Sequence, residues 1–288
     1  MNKTIKKIGI LFVLIASIGF LASCANTGEN DKGEDSPRIV SVSPSVTELI
    51  YAFGKEDQLV GRSDYCDYPS ETEDIPSVGS SLDPNVEMII ELEPDILFIS
   101  AYFKDEIAKT LEEAGIESTV ILDAEDFEGS FDVINEVGEM LDAKSEAEEL
   151  VTKLKGEIEE IQEKTSGQEQ PTVYYVVGFG KNGDFTATGD TYIAEILKAA
   201  GGTNIAQDAS DWMFSIEKII EEDPEYIIIS ENYGMKEEFV QTEGYKELSA
   251  VKNNKVIEVD DDLLNRQGPR LAQGVESIAK ILHPDLFN

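Results

Sequence analysis

Two stretches of this chain are near copies of each other, and that repetition limits the possible folds more than any other feature. The first runs Val86-Glu-Met-Ile-Ile-Glu-Leu-Glu-Pro-Asp-Ile-Leu-Phe-Ile-Ser100 and the second Ile216-Glu-Lys-Ile-Ile-Glu-Glu-Asp-Pro-Glu-Tyr-Ile-Ile-Ile-Ser230. Each reads as an acidic helix stopped by proline and followed by an apolar strand, so the chain is expected to form two similar lobes. Between the copies, Lys144 to Lys164 carries Ala147, Leu150, Val151, Leu154, Ile158 and Ile161 at steps of three and four, the period of an amphipathic helix. Such a helix of about 20 residues spans roughly 30 Å, enough to run along both lobes and hold them apart. The same period would suit a short coiled-coil dimer seam, although only about three heptads are present.

On either side of that spacer, strand and helix patterns alternate. Arg38 to Ser43 is a β-rich run, and after Pro44 the sequence Ser45-Val-Thr-Glu48 has the form of a capping box opening a helix that ends near Gly54. Leu59 to Arg62 is a second strand, and Ser63-Asp-Tyr-Cys-Asp-Tyr-Pro69 has no regular period and reads as a loop at a strand end, where ligands meet open α/β sheets. Asp95 to Ser100 is a buried strand, a helix follows to Gly115, and Ser118 to Leu122 is another strand. In the second half, Thr172 to Val177 is a strand and Gly178 to Gly189 a glycine-rich loop, followed by a helix from Thr191 to Ala200. Asp211-Trp-Met-Phe214 leads into the second repeat copy, and Asp261 to Arg270 precedes the last helix. Short links between alternating elements imply parallel sheets covered on both faces. The expectation is an α/β chain of two Rossmann-like lobes, each with a mostly parallel sheet, joined by one long interlobe helix.

The first residues carry a different signal. Lys3, Lys6 and Lys7 precede an unbroken apolar run from Ile8 to Phe20, the pattern of a secretory signal too short to remain as a membrane span. It runs into Leu21-Ala-Ser-Cys24, and small residues directly before a cysteine resemble the lipobox of bacterial lipoproteins. That resemblance implies a lipidated Cys24 holding the protein to the outer face of the cell membrane, outside the cytoplasm; plain secretion is the alternative. Ala25 to Ser36 lacks apolar periodicity and suits a flexible tether. The expected segments are therefore a signal peptide at 1–23, a lipidated tether at 24–36, an N-terminal lobe at 37–142, the interlobe helix at 143–166 and a C-terminal lobe at 167–288.

Charge and cysteine content exclude several classes of function. The formal net charge is -36, and losing Lys3, Lys6 and Lys7 with the signal takes it to -39. Nucleic acid is excluded as a partner, because phosphate neutralisation needs clustered Lys and Arg, whereas a basic protein surface suits such a chain. With Cys24 lipidated, Cys66 has no partner in the chain, so neither a disulfide framework nor a zinc cluster can be built. Gly178-Phe-Gly180 lacks the full dinucleotide spacing, and no Walker motif occurs.

Five pieces of sequence carry a family resemblance: Arg38-Ile-Val-Ser-Val-Ser-Pro-Ser-Val-Thr-Glu48, Val60-Gly, Asp64-Tyr-Cys-Asp-Tyr-Pro69, Val78-Gly, and Asn85-Val-Glu87 through Pro94-Asp. In this order they resemble the substrate-binding lipoproteins of ABC importers for vitamin B12, iron siderophores and haem. The Asp64 to Pro69 loop looks most like the vitamin B12 (cobalamin) binding proteins, and the likeness covers essentially the whole mature chain. It implies a binding protein rather than an enzyme, with no cofactor. Such a protein acts as a monomer, captures cobalamin between its lobes, and delivers it to an ABC permease dimer with its ATPase subunits. A ferric siderophore or haem is the alternative ligand.

By the same resemblance, Glu87 and Glu217, the same residue of both repeat copies, dock on arginines of the permease. Read without the family they are first-turn glutamates favoured by the helix dipole. Tyr65 and Trp212 are the expected aromatic walls for a flat corrinoid ring, and Asp262 and Arg266 match positions that contact polar groups of the ligand. Core packing is the alternative for Trp212. Only Arg38, Arg62, Arg266 and Arg270 occur in the chain, and an anionic siderophore would favour the last three around the cleft. The single histidine, His283, argues against an importer of bare zinc or manganese, and next to Pro284 it reads as a helix stop rather than a haem ligand. Two other classes compete: an extracytoplasmic enzyme built on Ser43, Asp64 and Asp67, for which no histidine base is available, and a ligand-sensing surface lipoprotein without transport.

Overall fold

The computed structural model describes residues 36–287 apart from 102, 182 and 233. The signal peptide, Cys24 and the tether up to residue 35 lie outside the described residues.

The first lobe holds β1 (Ile39–Ser41), β2 (Leu59–Arg62), β3 (Ile96–Ser100) and β4 (Ser118–Ile121), with helices α1 (Pro44–Ala52), α2 (Val86–Glu91), α3 (Asp105–Glu113) and α4 (Phe127–Met140). Helix α5 (Lys144–Thr165) leads to the second lobe, which holds β5 (Thr172–Val176), β6 (Thr203–Asn204), β7 (Tyr226–Ser230) and β8 (Val256–Val259). Its helices are α6 (Tyr192–Ala199), α7 (Ile216–Glu222), α8 (Met235–Phe239), α9 (Ser249–Lys252), α10 (Asp262–Asn265) and α11 (Leu271–Leu282). The sheets have the orders β2-β1-β3-β4 and β6-β5-β7-β8, and every pairing is parallel. The lobes therefore share one topology, in which α2–β3 corresponds to α7–β7, as the repeated sequence predicts. The repeat strands β3 and β7 are near-continuous apolar runs, the composition of strands buried on both faces.

The two lobes are not separate cores. One cluster of buried side chains runs from Ile39 and Leu49 through Ile134, Leu154 and Ile158 to Val173, Ile196 and Ile278. Helix α5 is the centre of it, burying Ala147, Leu154, Ile158 and Ile161 against α4 and α11. That packing accounts for the apolar stripe within this molecule, so no coiled-coil partner is needed to cover it. Gly138 on α4 permits the close approach, because a Cβ there would stand 2.4 Å from that of Ala147. Smaller clusters cover the outer face of each sheet.

Four buried tyrosines give the second lobe a measurable signature. Burial raises the pKa values of Tyr174, Tyr175 and Tyr192 well above the usual phenol range, and burial, then the hydrogen bond to Asp184, pushes that of Tyr245 up to about 12. An unfolded tyrosine titrates near 10, so the folded state binds more protons above that pH. The stabilisation is complete below about pH 10 and is lost as pH rises toward the folded values. In an alkaline titration followed by phenolate absorbance, these four should ionise together in one cooperative step coincident with unfolding. Gradual ionisation in a still-folded protein would contradict their burial.

Candidate functional site

The loop after β2 closes the carboxyl end of the first sheet. Its Asp64 N–H donates to the Gly79 carbonyl at 2.9 Å, and the Asp64 carboxylate receives the Ser77 hydroxyl at 2.5 Å. Cys66 is buried beneath it, with its sulfur 3.1 Å from the Thr47 hydroxyl and 3.2 Å from that of Ser63. This loop thus packs down at the carboxyl end of β2, with Cys66 and Ser63 buried beneath it. Tyr65 stands 57 % exposed on this loop, outside the described linings of the cavities discussed below.

Glu48 departs from the sequence expectation. Helix α1 starts at Pro44 with Ser43 as its cap residue, and no side-chain cap bond forms, so the Ser45–Glu48 capping box is not made. The Glu48 side chain is 1 % exposed and crosses to the second lobe instead. Arg270 donates to it from Nε at 2.8 Å and from Nη2 at 2.6 Å, and Arg266 donates from Nη1 at 3.2 Å. Two guanidinium groups outweigh a surface cap, because they satisfy a buried carboxylate with charge-assisted hydrogen bonds. Arg266 also donates to Asp67 at 2.8 Å, pairs with Asp262 at 2.6 Å and reaches the Tyr65 carbonyl at 3.2 Å. Beside it, Gln267 exchanges two hydrogen bonds with the Ala124 backbone, at 2.7 and 2.8 Å.

The second sheet is open at its carboxyl end. A cavity of about 650 Å³ is lined by Tyr175, Val177, Phe185, Trp212, Ser230 and Asp261, at the point between β5 and β7 where the strand order reverses. A second cavity of about 550 Å³ lies between the lobes, with Asp123, Ala124 and Glu125 on one side and Asp190, Tyr192 and Asp211 on the other. Trp212 lines both and is 42 % exposed, so its indole is not core packing. Its backbone has φ of +62°, and Asp211 before it has +63°, two successive side-chain-bearing residues in the left-handed region. Hydrogen bonds hold this conformation: Trp212 N–H donates to the Thr188 hydroxyl at 3.2 Å, and its carbonyl accepts from Thr186 N–H at 3.0 Å. Strain of this kind persists only where the surroundings enforce it.

Of the residues expected at the site, Tyr65, Asp262 and Arg266 are brought together through the Arg266 guanidinium, while Trp212 stands apart on the cavities. In the register of the repeat, Leu82 of the first lobe occupies the place of Trp212, and it is 57 % exposed. A third cavity of about 590 Å³, against Tyr51, Tyr68 and Pro269, shares no lining residue with the other two. His283 ends α11, buried with Nε2 3.2 Å from the Gly201 carbonyl, and is not among the residues lining the cleft.

Glu87 and Glu217 are both exposed in the first turn of their helices, α2 and α7. Asn85 caps the first by accepting from Met88 N–H at 3.0 Å, and Ser215 caps the second by accepting from Lys218 N–H at 3.5 Å. Hydrogen bonds from its own backbone N–H and from Ser215 hold the Glu217 carboxyl below the usual range. Glu48, Gln267 and the acidic residues of the interlobe cavity were not visible as site residues in the sequence. Their partners lie far away along the chain, and only the scarcity of arginine hinted at the roles of Arg266 and Arg270.

A family model described as periplasmic binding protein matches residues 39–263. Among curated proteins, the chain is 32 % identical to the uncharacterized ABC transporter substrate-binding lipoprotein YvrC of Bacillus subtilis, over 98 % of this chain and 99 % of the relative. It is 27 % identical to the high-affinity heme uptake system protein IsdE of Staphylococcus aureus, over 87 % of this chain and 89 % of the relative. Among solved structures, the periplasmic heme-binding protein RhuT from Roseiflexus sp. RS-1 superposes with a TM-score of 0.77 at 23 % identity, over 87 % of this chain and 99 % of that one. The periplasmic vitamin B12 binding protein BtuF of Vibrio cholerae does so with a TM-score of 0.69 at 24 % identity, over 86 % of this chain and 96 % of that one. Both structural likenesses establish the shared fold of two parallel-sheet lobes.

Proposed function

The chain belongs to the periplasmic binding protein family, and on that premise we propose that it captures a corrinoid, cobalamin, in the cleft between its lobes and delivers it to an ABC permease dimer. It is a substrate-binding protein of an ABC transporter, a family of binding proteins and not of enzymes. The observation that carries the ligand reading is Trp212, strained into an exposed position at the junction of two cavities, where its face offers a stacking platform to a large flat ring. The IsdE relationship favours haem as the second reading, with Tyr65 or Met213 as exposed side chains of a type that ligates iron. A ferric siderophore is a third, but Arg62, Arg266 and Arg270 all donate to acceptors within the protein, which weakens the case for an anionic chelate.

Around the cleft, the reading keeps the assignments of the sequence. Cys24 carries lipid, residues 24–36 tether the protein outside the cell membrane, and residues 37–142 and 167–288 are the lobes on either side of the interlobe helix at 143–166. Glu87 and Glu217 are the paired docking carboxylates. Each exposed ion pair would add only about 0.2–1 kcal/mol, so the two would set register and orientation more than affinity. Exposure at the same repeat position on both lobes supports this role.

The test is calorimetric titration of the fragment Pro37–Asn288 with cyanocobalamin, haem and a ferric hydroxamate. One-to-one cobalamin binding at submicromolar strength is expected, and Glu87→Ala with Glu217→Ala should leave it intact while stopping cobalamin uptake by cells. Binding of haem or of the iron chelate alone would move the ligand and keep the importer role. Uptake that survives loss of both glutamates would remove the docking assignment, whereas a protein that only senses its ligand should keep its response in this variant.

A further inference from the structure

The charge of the cleft points beyond ring stacking. The described residues lining the two cavities include Asp123, Glu125, Asp190, Asp211 and Asp261, and among them is no lysine, arginine or histidine. Arg266, between the lining residues Asn265 and Gln267 in sequence, is already shared among Glu48, Asp67 and Asp262. Asp190, Asp211 and Asp261 are held in place yet retain acceptor capacity. The Thr188 hydroxyl donates to Asp190 at 2.5 Å, the Ser210 hydroxyl to Asp211 at 2.9 Å, and the Ser230 hydroxyl and the Asn232 amide to Asp261 at 2.7 Å each. The Asn265 amide adds a third donor to Asp261 at 3.5 Å. A carboxylate has about four acceptor positions, so one to three protein donors leave the rest for a ligand. Tyr192 also lines the interlobe cavity; it is 4 % exposed, and its buried hydroxyl has no partner among the described residues.

We infer that this cleft selects its ligand by charge, holding ligands that present amide donors or positive charge to Asp123, Asp190 and Asp211 and rejecting anionic ones. The inference rests on the reading of the cleft as the ligand site, and it narrows what the site accepts. A ligand carboxylate placed there would meet like charge in a partly desolvated space, where repulsion is several times stronger than in water. The amide arms of a corrinoid would instead donate to those oxygens. The acidic field of the whole chain acts in the same direction at longer range.

Trp212 is the only tryptophan of the chain, so quenching of intrinsic fluorescence reports binding at the cleft directly. With the mature full-length chain in mild detergent, cyanocobalamin is compared with its monocarboxylic acid, in which one amide arm has become a carboxylate. The acid is expected to bind about tenfold more weakly, a difference of about 1.4 kcal/mol. The gap should shrink as salt rises and close in the variant carrying Asp123→Asn, Asp190→Asn and Asp211→Asn. Equal binding of amide and acid, unchanged by salt, would overturn the inference and leave cobalamin capture standing. If no corrinoid quenches, the cobalamin reading fails, and the comparison passes to two ferric chelates, a cationic trihydroxamate and a trianionic catecholate. Preference for the cation would uphold charge selection independently of the corrinoid, whereas preference for the anion, or binding of neither, would end it.

Discussion

Replacing Trp212 with alanine is expected to weaken ligand binding by about 30- to 150-fold, corresponding to about 2–3 kcal/mol, without lowering thermal stability. The indole lines both cavities of the cleft and is nearly half exposed, so a ring ligand that covers it gains apolar burial and aromatic contact together. Truncation removes that gain and costs little in the folded protein, because few core contacts are lost. Trp212→Gly sharpens the test. Glycine adopts a φ of +62° without penalty, so this variant should hold or raise the melting temperature while losing affinity like the alanine variant. A loss of stability in both variants, with affinity unchanged, would make Trp212 a packing residue and remove the principal support for a stacked ligand. Because the chain has no other tryptophan, the variants lose the tryptophan signal, and their affinities are measured by calorimetry.

The two-lobe architecture was legible because it rests on local pattern. The repeated helix–Pro–strand unit became α2–β3 and α7–β7, and the stripe of Ala147, Leu154, Ile158 and Ile161 became the buried face of α5. The positions of Glu87 and Glu217 followed from the same register. Contacts between distant parts of the chain were not legible. Ser45-Val-Thr-Glu48 has the spacing of a capping box, yet the arginines that claim Glu48 stand 218 and 222 residues away in sequence, and no local rule reports them. Arg266 looked available to a ligand because its scarcity suggested a specific role. The role was specific, but the structure shows its guanidinium shared among the acceptors that join the lobes. The acidity of the cavity was hidden for the same reason, since Asp123, Asp190 and Asp211 belong to three separate loops that only folding assembles.

Removing the Glu48 carboxylate is expected to have the largest effect on the fold. Glu48→Ala leaves the buried Arg270 guanidinium without its one ion-pair partner among the described residues and takes one of three acidic partners from Arg266, a situation that costs about 3–5 kcal/mol. Much of that cost is the penalty of unpaired buried charge rather than the worth of the ion pairs themselves. The triple variant Glu48→Leu, Arg266→Met, Arg270→Met should therefore recover most of the lost stability in chemical denaturation. A loss below about 1 kcal/mol for Glu48→Ala would show that water reaches the arginines and that the cluster is not a clasp. The triple variant also separates stability from geometry. Arg266 ties the Tyr65 carbonyl and Asp67 of one lobe to Asp262 of the other, so its loss frees the loop after β2 even when apolar packing has restored the melting temperature. If the clasp sets the spacing of the lobes, the recovered variant should be stable but bind ligand more weakly, and solution scattering should show a wider spread of lobe separations. If ligand affinity recovers along with stability, the shared core around α5 alone sets the cleft, and the buried charges contribute only where they are paired.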